Sequence, residues 1–303
     1  MEHVHWSDRG QQVQADPSES GGTATQFIGV SRLGSAQLGA RFTVLMQVRG
    51  SSWVESKEGR FRLTAGDWLA LDKESRPLIQ TDRDGLTIGL ALGTDTPRQM
   101  ARYADAALYA GRGRVSARDL RTALRLWRDA ADRVAKPDAD AMVAMRPLLM
   151  HLASIQRDLG DRVARCPGRS RTRKRQVFGR LQRARLYMEG NCDRIVRISE
   201  LAELTSFSSW YFSKTFQSLY DESPQAAAAR MRLEHAARLL RESDMMIGEV
   251  AAASGFDNCC SFARAFRARF GTSATRYRAA GSARTHSAKS SDVARKAMLR
   301  HGT

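Results

Sequence analysis

Ile198-Ser-Glu-Leu201-Ala202 recurs as Ile247-Gly-Glu-Val250-Ala251, 49 residues further along the chain. Phe207 and Phe256 keep that offset, whereas Phe216 with Phe266 and Tyr220 with Phe270 stand 50 apart. The second copy has therefore gained one residue between Phe256 and Phe266, where a turn absorbs it. In the first copy Ile198, Leu201 and Ala202 form an i, i+3, i+4 apolar stripe, which predicts a short helix. The turn that follows ends at Ser208 in one copy and at Asp257-Asn258 in the other, residue types that cap helix N-termini. The next helix is expected to bury Phe212, Phe216 and Leu219 in copy one, and Phe262, Phe266 and Phe270 in copy two. Two helices joined by a tight turn, the second polar on its outer face, make a helix-turn-helix. The stripes alone would also suit any repeated helical hairpin.

Between the copies, Pro224 opens the Ala-rich run Gln225-Ala-Ala-Ala-Ala229, which continues through Met231, Leu233, Ala236, Leu239 and Leu240. Such a composition predicts one continuous helix. It would fix the separation of two reading heads; heads about 34 Å apart would enter successive major grooves of one duplex.

Charge points the same way. The 303 residues carry a formal charge of +17, and residues 161–303 hold 27 basic against 13 acidic residues, most of the basic ones Arg. A half-chain this basic implies a polyanionic partner, nucleic acid ahead of a membrane surface. No run of apolar residues is long enough for a transmembrane helix. The start, Met1-Glu-His-Val-His-Trp6, has no secretory pattern. Cys166, Cys192, Cys259 and Cys260 show no C-x-x-C spacing, and a reducing, cytoplasmic setting is expected, with no metal or other cofactor.

Upstream, residues 26–92 read as short β-prone runs between turn signals: Phe42–Val48, Arg60–Leu63, Trp68–Leu71, Pro77–Gln80 and Leu86–Leu92. These predict a small barrel or sandwich. Helices are expected from Ser116-Ala-Arg-Asp119 onward and over about Ala141–Leu159, with Pro147 inside the second. Residues 161–175 lose periodicity and gather Arg162, Arg165, Arg169, Arg171, Arg173, Lys174 and Arg175, which reads as a basic linker. The expected domains are a loose leader (1–25), a β-rich domain with helices (26–160), the linker (161–176), a helical domain (177–280) and a basic flexible tail (281–303).

From about Val177 to Ala280 the chain resembles the AraC/XylS-type DNA-binding domain. The residues that carry this are Ile247, Val250, Ala251, Gly255 and Phe256, then Ser261, Phe262 and Phe266, then Gly271, Ser273, Tyr277 and Arg278. Arg232-Leu-Glu234, Ala236 and Leu239-Leu240 match the family's linking helix. Asp221, Ala227 and Ala274 depart from it, standing where the family usually has Gly, an aromatic and Pro. The resemblance implies an all-α domain with two helix-turn-helix motifs joined by a long helix. It implies DNA contacts from Ser209, Trp210, Ser213 and Lys214 in the first motif, and from Asn258, Cys259, Ser261, Arg264 and Arg267 in the second. Arg264 suits bidentate contact with guanine. Asn258 either caps its helix or reaches DNA, and Trp210 either packs or meets thymine methyl groups.

The β-rich region, through Arg60–Asp67 and Trp68–Leu71, resembles the cupin-like sensor domain found before this DNA-binding domain. The resemblance implies an α+β protein of two domains that regulates transcription, as an activator working with RNA polymerase; a repressor or an architectural DNA binder are the alternatives. It also implies a homodimer formed by the helices at 117–134 and 141–158, and a small-molecule effector. Met46, Trp53, Trp68 and Leu71 are the candidate effector pocket, or plain core. None of the six His lies between residues 26 and 92, which disfavours a metal-dependent enzymatic cupin. The first 160 residues contain no Cys, which disfavours a DNA-repair methyl acceptor.

Overall fold

The computed structural model describes residues 4–15, 24–104 and 107–280. The chain divides into two compact units: Met1–Gly190 with Ser199–Asp221, and Asn191–Ile198 with Glu222–Thr303.

The first unit is built on eleven strands: β1 (Val4–Ser7), β2 (Gln12–Ala15), β3 (Gln26–Ser31), β4 (Ser35–Leu38), β5 (Phe42–Arg49), β6 (Ser51–Ser56), β7 (Gly59–Thr64), β8 (Asp67–Leu71), β9 (Leu78–Thr81), β10 (Leu86–Leu92) and β11 (Gly111–Arg114). They form a six-stranded sheet, β1-β3-β10-β5-β8-β11, and a five-stranded sheet, β2-β4-β9-β6-β7. The period of two sorts side chains to the two faces of the larger sheet. Leu45, Leu69 and Leu71 join Val54, Phe61, Leu63 and Ile79 of the smaller sheet in one buried cluster, so the sheets pack as a sandwich. Val44, Met46, Trp68, Ala70, Ile88 and Leu90 face the other way and meet helices.

Those helices are α2 (Ala117–Val134) and α3 (Ala141–Ile155); α1 (Thr96–Ala104) precedes them. The Ser116 side chain accepts a hydrogen bond from the Asp119 amide, which fixes the start of α2 where the sequence places it. Trp127 buries its ring in this layer and donates Nε1–H to the Gly89 carbonyl at 2.8 Å. Between the sheets, Gln47 Oε1 accepts from Ser52 Oγ and Thr87 Oγ1, each at 2.6 Å, so this buried amide is satisfied.

Three readings of the sequence need correction. Within the expected loose leader, β1 and β2 pair in parallel with β3 and β4; their four-residue length carried too little alternation to be seen. The helix expected over Ala141–Leu159 breaks at Gln156, and α4 (Arg157–Val163) follows. The basic linker is helical at both ends, because α4 reaches Val163 and α5 (Arg171–Gly190) starts five residues before 176. The start of α5, residues 171–176, holds no apolar residue and so shows no hydrophobic period, yet Arg and Lys are good helix formers. The tail at 281–303 lies outside the described residues.

α6 (Ile198–Thr205) and α7 (Ser209–Tyr220) make the first helix-turn-helix. The second unit holds α8 (Pro224–Glu242), α9 (Ile247–Ala253), α10 (Cys259–Phe270) and α11 (274–280). Its core is Leu233, Ala236, Ala237, Leu240, Val250, Ala251, Phe262, Phe266 and Ala274. Arg232 donates to the Gly255 carbonyl at 2.8 Å with its guanidinium over Phe256, and Arg230 pairs with Glu222 and Glu234.

Candidate nucleic-acid interface

Both turns are closed by a left-handed residue. After α9, Gly255 has φ +70, and the Phe256 amide donates to the Ala251 carbonyl at 3.0 Å. After α6 the equivalent residue is Ser206 at φ 52, with the Phe207 amide on the Ala202 carbonyl at 2.9 Å. The extra residue of the second copy is Asp257, just ahead of the N-cap. Ser208 caps α7 through the Tyr211 amide, and Asn258 caps α10 through the Ser261 amide at 2.8 Å.

The repeat runs further than its apolar residues suggested. The C-caps of α7 and α10 are Asp221 (φ 61) and Gly271 (φ 70), 50 residues apart and both left-handed. Ser223 and Ser273 then cap α8 and α11. The first copy thus places Ser and Asp where the second has Gly. A side chain in that conformation costs roughly 1 kcal/mol. Replacing Ser206 with Gly is therefore expected to raise stability by a few tenths of a kcal/mol, the greater freedom of the unfolded chain offsetting part of the gain. Gly255→Ala should lose about 2 kcal/mol, because its Cβ would also sit 2.9 Å from the Arg194 Cα. Denaturant melts of the two variants check both signs.

Helix α7 buries Phe212, Thr215, Phe216 and Leu219. Its opposite face presents Ser209, Trp210 and Lys214, with Ser213 half-buried beside them. Trp210 is 69% exposed, so it packs under nothing in the first unit. The Lys214 ammonium lies 4.8 Å from the Trp210 ring centroid, a cation–π pair that stiffens both side chains. Helix α10 buries Phe262 and Phe266 and exposes Cys259, Cys260, Arg264 and Arg267, with Ser261 half-buried. The side chains of Arg264 and Arg267 make no hydrogen bond or ion pair with another described residue, whereas Arg269 is held by Glu234 at 3.1 Å.

The offset of 50 aligns the two outer faces residue by residue. Trp210, Lys214 and Gln217 in α7 correspond to Cys260, Arg264 and Arg267 in α10, each set spaced i, i+4, i+7 along one helical face. Gln217 and Cys260 were not among the residues singled out from the sequence. Carrying the 50-residue offset from the buried Phe residues to the exposed ones would have found both. Asn258 and Ser261 lie at the mouth of α10, where their amide–side-chain bond builds the cap. All four Cys lie outside any disulfide, Cys166 and Cys192 buried, and among the described residues no group of His, Cys, Asp and Glu could hold a metal ion.

The candidate effector residues do not converge. Met46 and Trp68 pack under the helices, Leu71 lies between the sheets, and Trp53 is 40% exposed on the smaller sheet with Arg60 over its ring. A groove of about 1300 Å³ opens beside Trp6, Thr25, Thr96, Trp127, Lys136 and Met142.

Comparison with known proteins covers the same C-terminal stretch. A helix-turn-helix domain profile matches residues 201–280. The transcriptional regulator ExsA of Pseudomonas aeruginosa is 31% identical over 105 residues, 34% of this chain and 38% of that protein. The transcriptional activator AarP of Providencia stuartii is 25% identical over 93 residues, 31% of this chain and 69% of that protein. A probable AraC family transcriptional regulator from Rhodopseudomonas palustris, known as a crystal structure, is 33% identical over 34% of this chain and 96% of that one, with a TM-score of 0.32. This chain thus spans under two fifths of the length of ExsA. Residues 201–280 are an AraC-type helix-turn-helix domain.

Proposed function

We propose that this chain is a sequence-specific, DNA-binding regulator of transcription, an activator, that reads two major grooves with α7 and α10. The observation that carries this reading is the pair of equivalent exposed stripes, Trp210/Lys214/Gln217 and Cys260/Arg264/Arg267, on a chain whose second half is strongly basic. Phosphate contacts give affinity and base contacts give sequence. Arg264 and Arg267 present forks suited to guanine, and Trp210 an apolar plate suited to thymine methyl groups. Likeness to AarP, a transcriptional activator, supports the activator over the repressor, and RNA polymerase belongs to the same proposal as a partner.

Within this reading the β-sandwich and its helices serve effector sensing and dimerisation. The groove beside Trp6 and Trp127 has room for a small molecule, and α3 exposes Val143 and Met150 as a surface for a second copy of the chain. No described helix is long and apolar enough to cross a membrane, and the proposed place of action is the cytoplasm. The domain boundary near residue 176 belongs to the same proposal: a fragment from Arg175 to Ala280 is expected to fold and to keep the operator preference of the full chain. Circular dichroism and binding of that fragment test the boundary.

Titration of the full chain against labelled promoter fragments, in a thousandfold excess of random duplex, tests the function. Retained binding supports the regulator; complete loss to competitor supports an architectural binder. The linker adds a salt-dependent element. Arg165 is engaged with Asp221, and Lys174 with the Ala164 carbonyl at 2.7 Å. Replacing Arg169, Arg171, Arg173, Lys174 and Arg175 with Gln should flatten log K against log[salt] by roughly 0.9 for each phosphate no longer neutralised, with sequence preference kept. An unchanged slope would assign the linker a purely connecting role.

A further inference from the structure

Helix α5 is anchored on two sides by different side chains. Toward the sandwich, Leu186 is 2% exposed and belongs to the core cluster of Phe61 and Leu63. At its end Gly190 meets the β6–β7 turn backbone to backbone. A Cβ on Gly190 would lie 2.4 Å from the Glu58 carbonyl oxygen, and one on Gly59 (φ +121) 2.4 Å from that of Gly190. Only glycine on both sides permits this approach. The Glu58 carboxylate, 1% exposed, accepts from Arg183 Nε at 3.1 Å, while Arg183 also donates to Glu74 at 2.6 Å. Tyr109 packs edge-on against Phe178 at 5.0 Å.

Toward the first helix-turn-helix, the adjacent residue Gln182 accepts from the Tyr220 hydroxyl at 2.7 Å; Tyr220 is the last residue of α7. Arg180 donates to the carbonyl of Thr205, the last residue of α6, at 3.2 Å and lies over the Phe207 ring. Arg165, just before α5, donates to the Ser218 carbonyl and to Asp221, whose carboxyl it holds below the usual carboxylate range. Successive side chains on a helix diverge by about 100°, so Gln182 and Arg183 reach different partners. A continuous helix transmits a rotation without a joint.

We infer that α5 is the element through which the β-sandwich sets the pose of the first reading helix, with Gln182 and Arg183 as positioning residues. The second reading helix, in the other compact unit, reads DNA without that control. This rests on the DNA-reading proposal. Glu58 and Arg183 carry the coupling because their ion pair, with the carboxylate of Glu58 buried, ties the β6–β7 turn to α5. A change in the β6–β7 turn then reaches α7 through α5 and leaves α10 untouched.

The test uses the full chain, its Arg183→Met variant, and Glu58→Gln, which keeps an acceptor for Arg183 while removing the buried charge. Hydrogen exchange is measured without DNA, and binding sites are selected from a pool of random-sequence duplexes. Exchange in 198–220 is expected to quicken at least tenfold in Arg183→Met and by less in Glu58→Gln, while 247–270 changes less than twofold. The selected sites should lose sequence preference in the box assigned to α7 by a Trp210→Ala control and keep the box assigned to α10. Equal change in both regions, or none in either, overturns the coupling. Absence of any enriched site with the unaltered chain would overturn the DNA reading instead, and the exchange result would still decide the coupling.

Discussion

Replacing Phe266 with Ala is expected to unfold the second reading head while the β-sandwich stays folded. Phe266 is fully buried, with Phe262 at 5.4 Å, Phe270 at 4.5 Å and Tyr277 at 5.4 Å between ring centroids. Truncating a buried Phe to Ala costs about 3–5 kcal/mol, and the packing of the ring on its aromatic neighbours belongs to that total. Whole domains are stable by only about 5–15 kcal/mol, so a small helical unit has little reserve. Hydrogen exchange in the full chain should show protection vanishing across 247–280 and persisting in the strands. Protection retained throughout would mean that the cluster around Phe266 is not the core of that unit.

The second large effect falls on readout. Arg264→Ala should weaken binding to a preferred duplex by about 1–3 kcal/mol, roughly 5- to 150-fold, with little change toward random duplex. The side chain is exposed and unengaged, so the fold loses nothing when it is removed. Its counterpart Lys214 is a point charge leaning on Trp210, and Lys214→Ala should weaken both duplexes alike. Fluorescence anisotropy on the two duplexes separates these outcomes. An equal loss from Arg264→Ala on both would make Arg264 a phosphate contact.

The two helix-turn-helix units were legible because a duplicated motif repeats its constraints: buried Phe residues, N-caps and left-handed turns recur at fixed offsets. The larger sheet was legible where alternation was long, as in Phe42–Val48 and Leu86–Leu92. Strand β11, Gly-Arg-Gly-Arg, carries no apolar signal, since it lies at a sheet edge and its glycines admit the Trp68 ring; a Cβ on Gly113 would sit 2.8 Å from Trp68 Nε1. The role of Asp221 was also hidden. It departs from the family's usual Gly, and only the structure brings Arg165, 56 residues away, to its carboxylate. Of the site, Trp210, Lys214, Arg264 and Arg267 were named through the family resemblance, while Gln217 and Cys260 were missed. The dispersal of Met46, Trp53, Trp68 and Leu71 over different faces was not legible, because two sheets and a helical layer are needed to tell the faces apart.

Sequence-specific reading by two heads is tested directly by selection of binding sites from a random-sequence duplex pool by the full chain. It predicts enrichment of two short boxes about one helical turn apart, centre to centre, one of them containing guanines that lose preference when Arg264 is replaced. A bound pool no richer in any sequence than the starting one would contradict it.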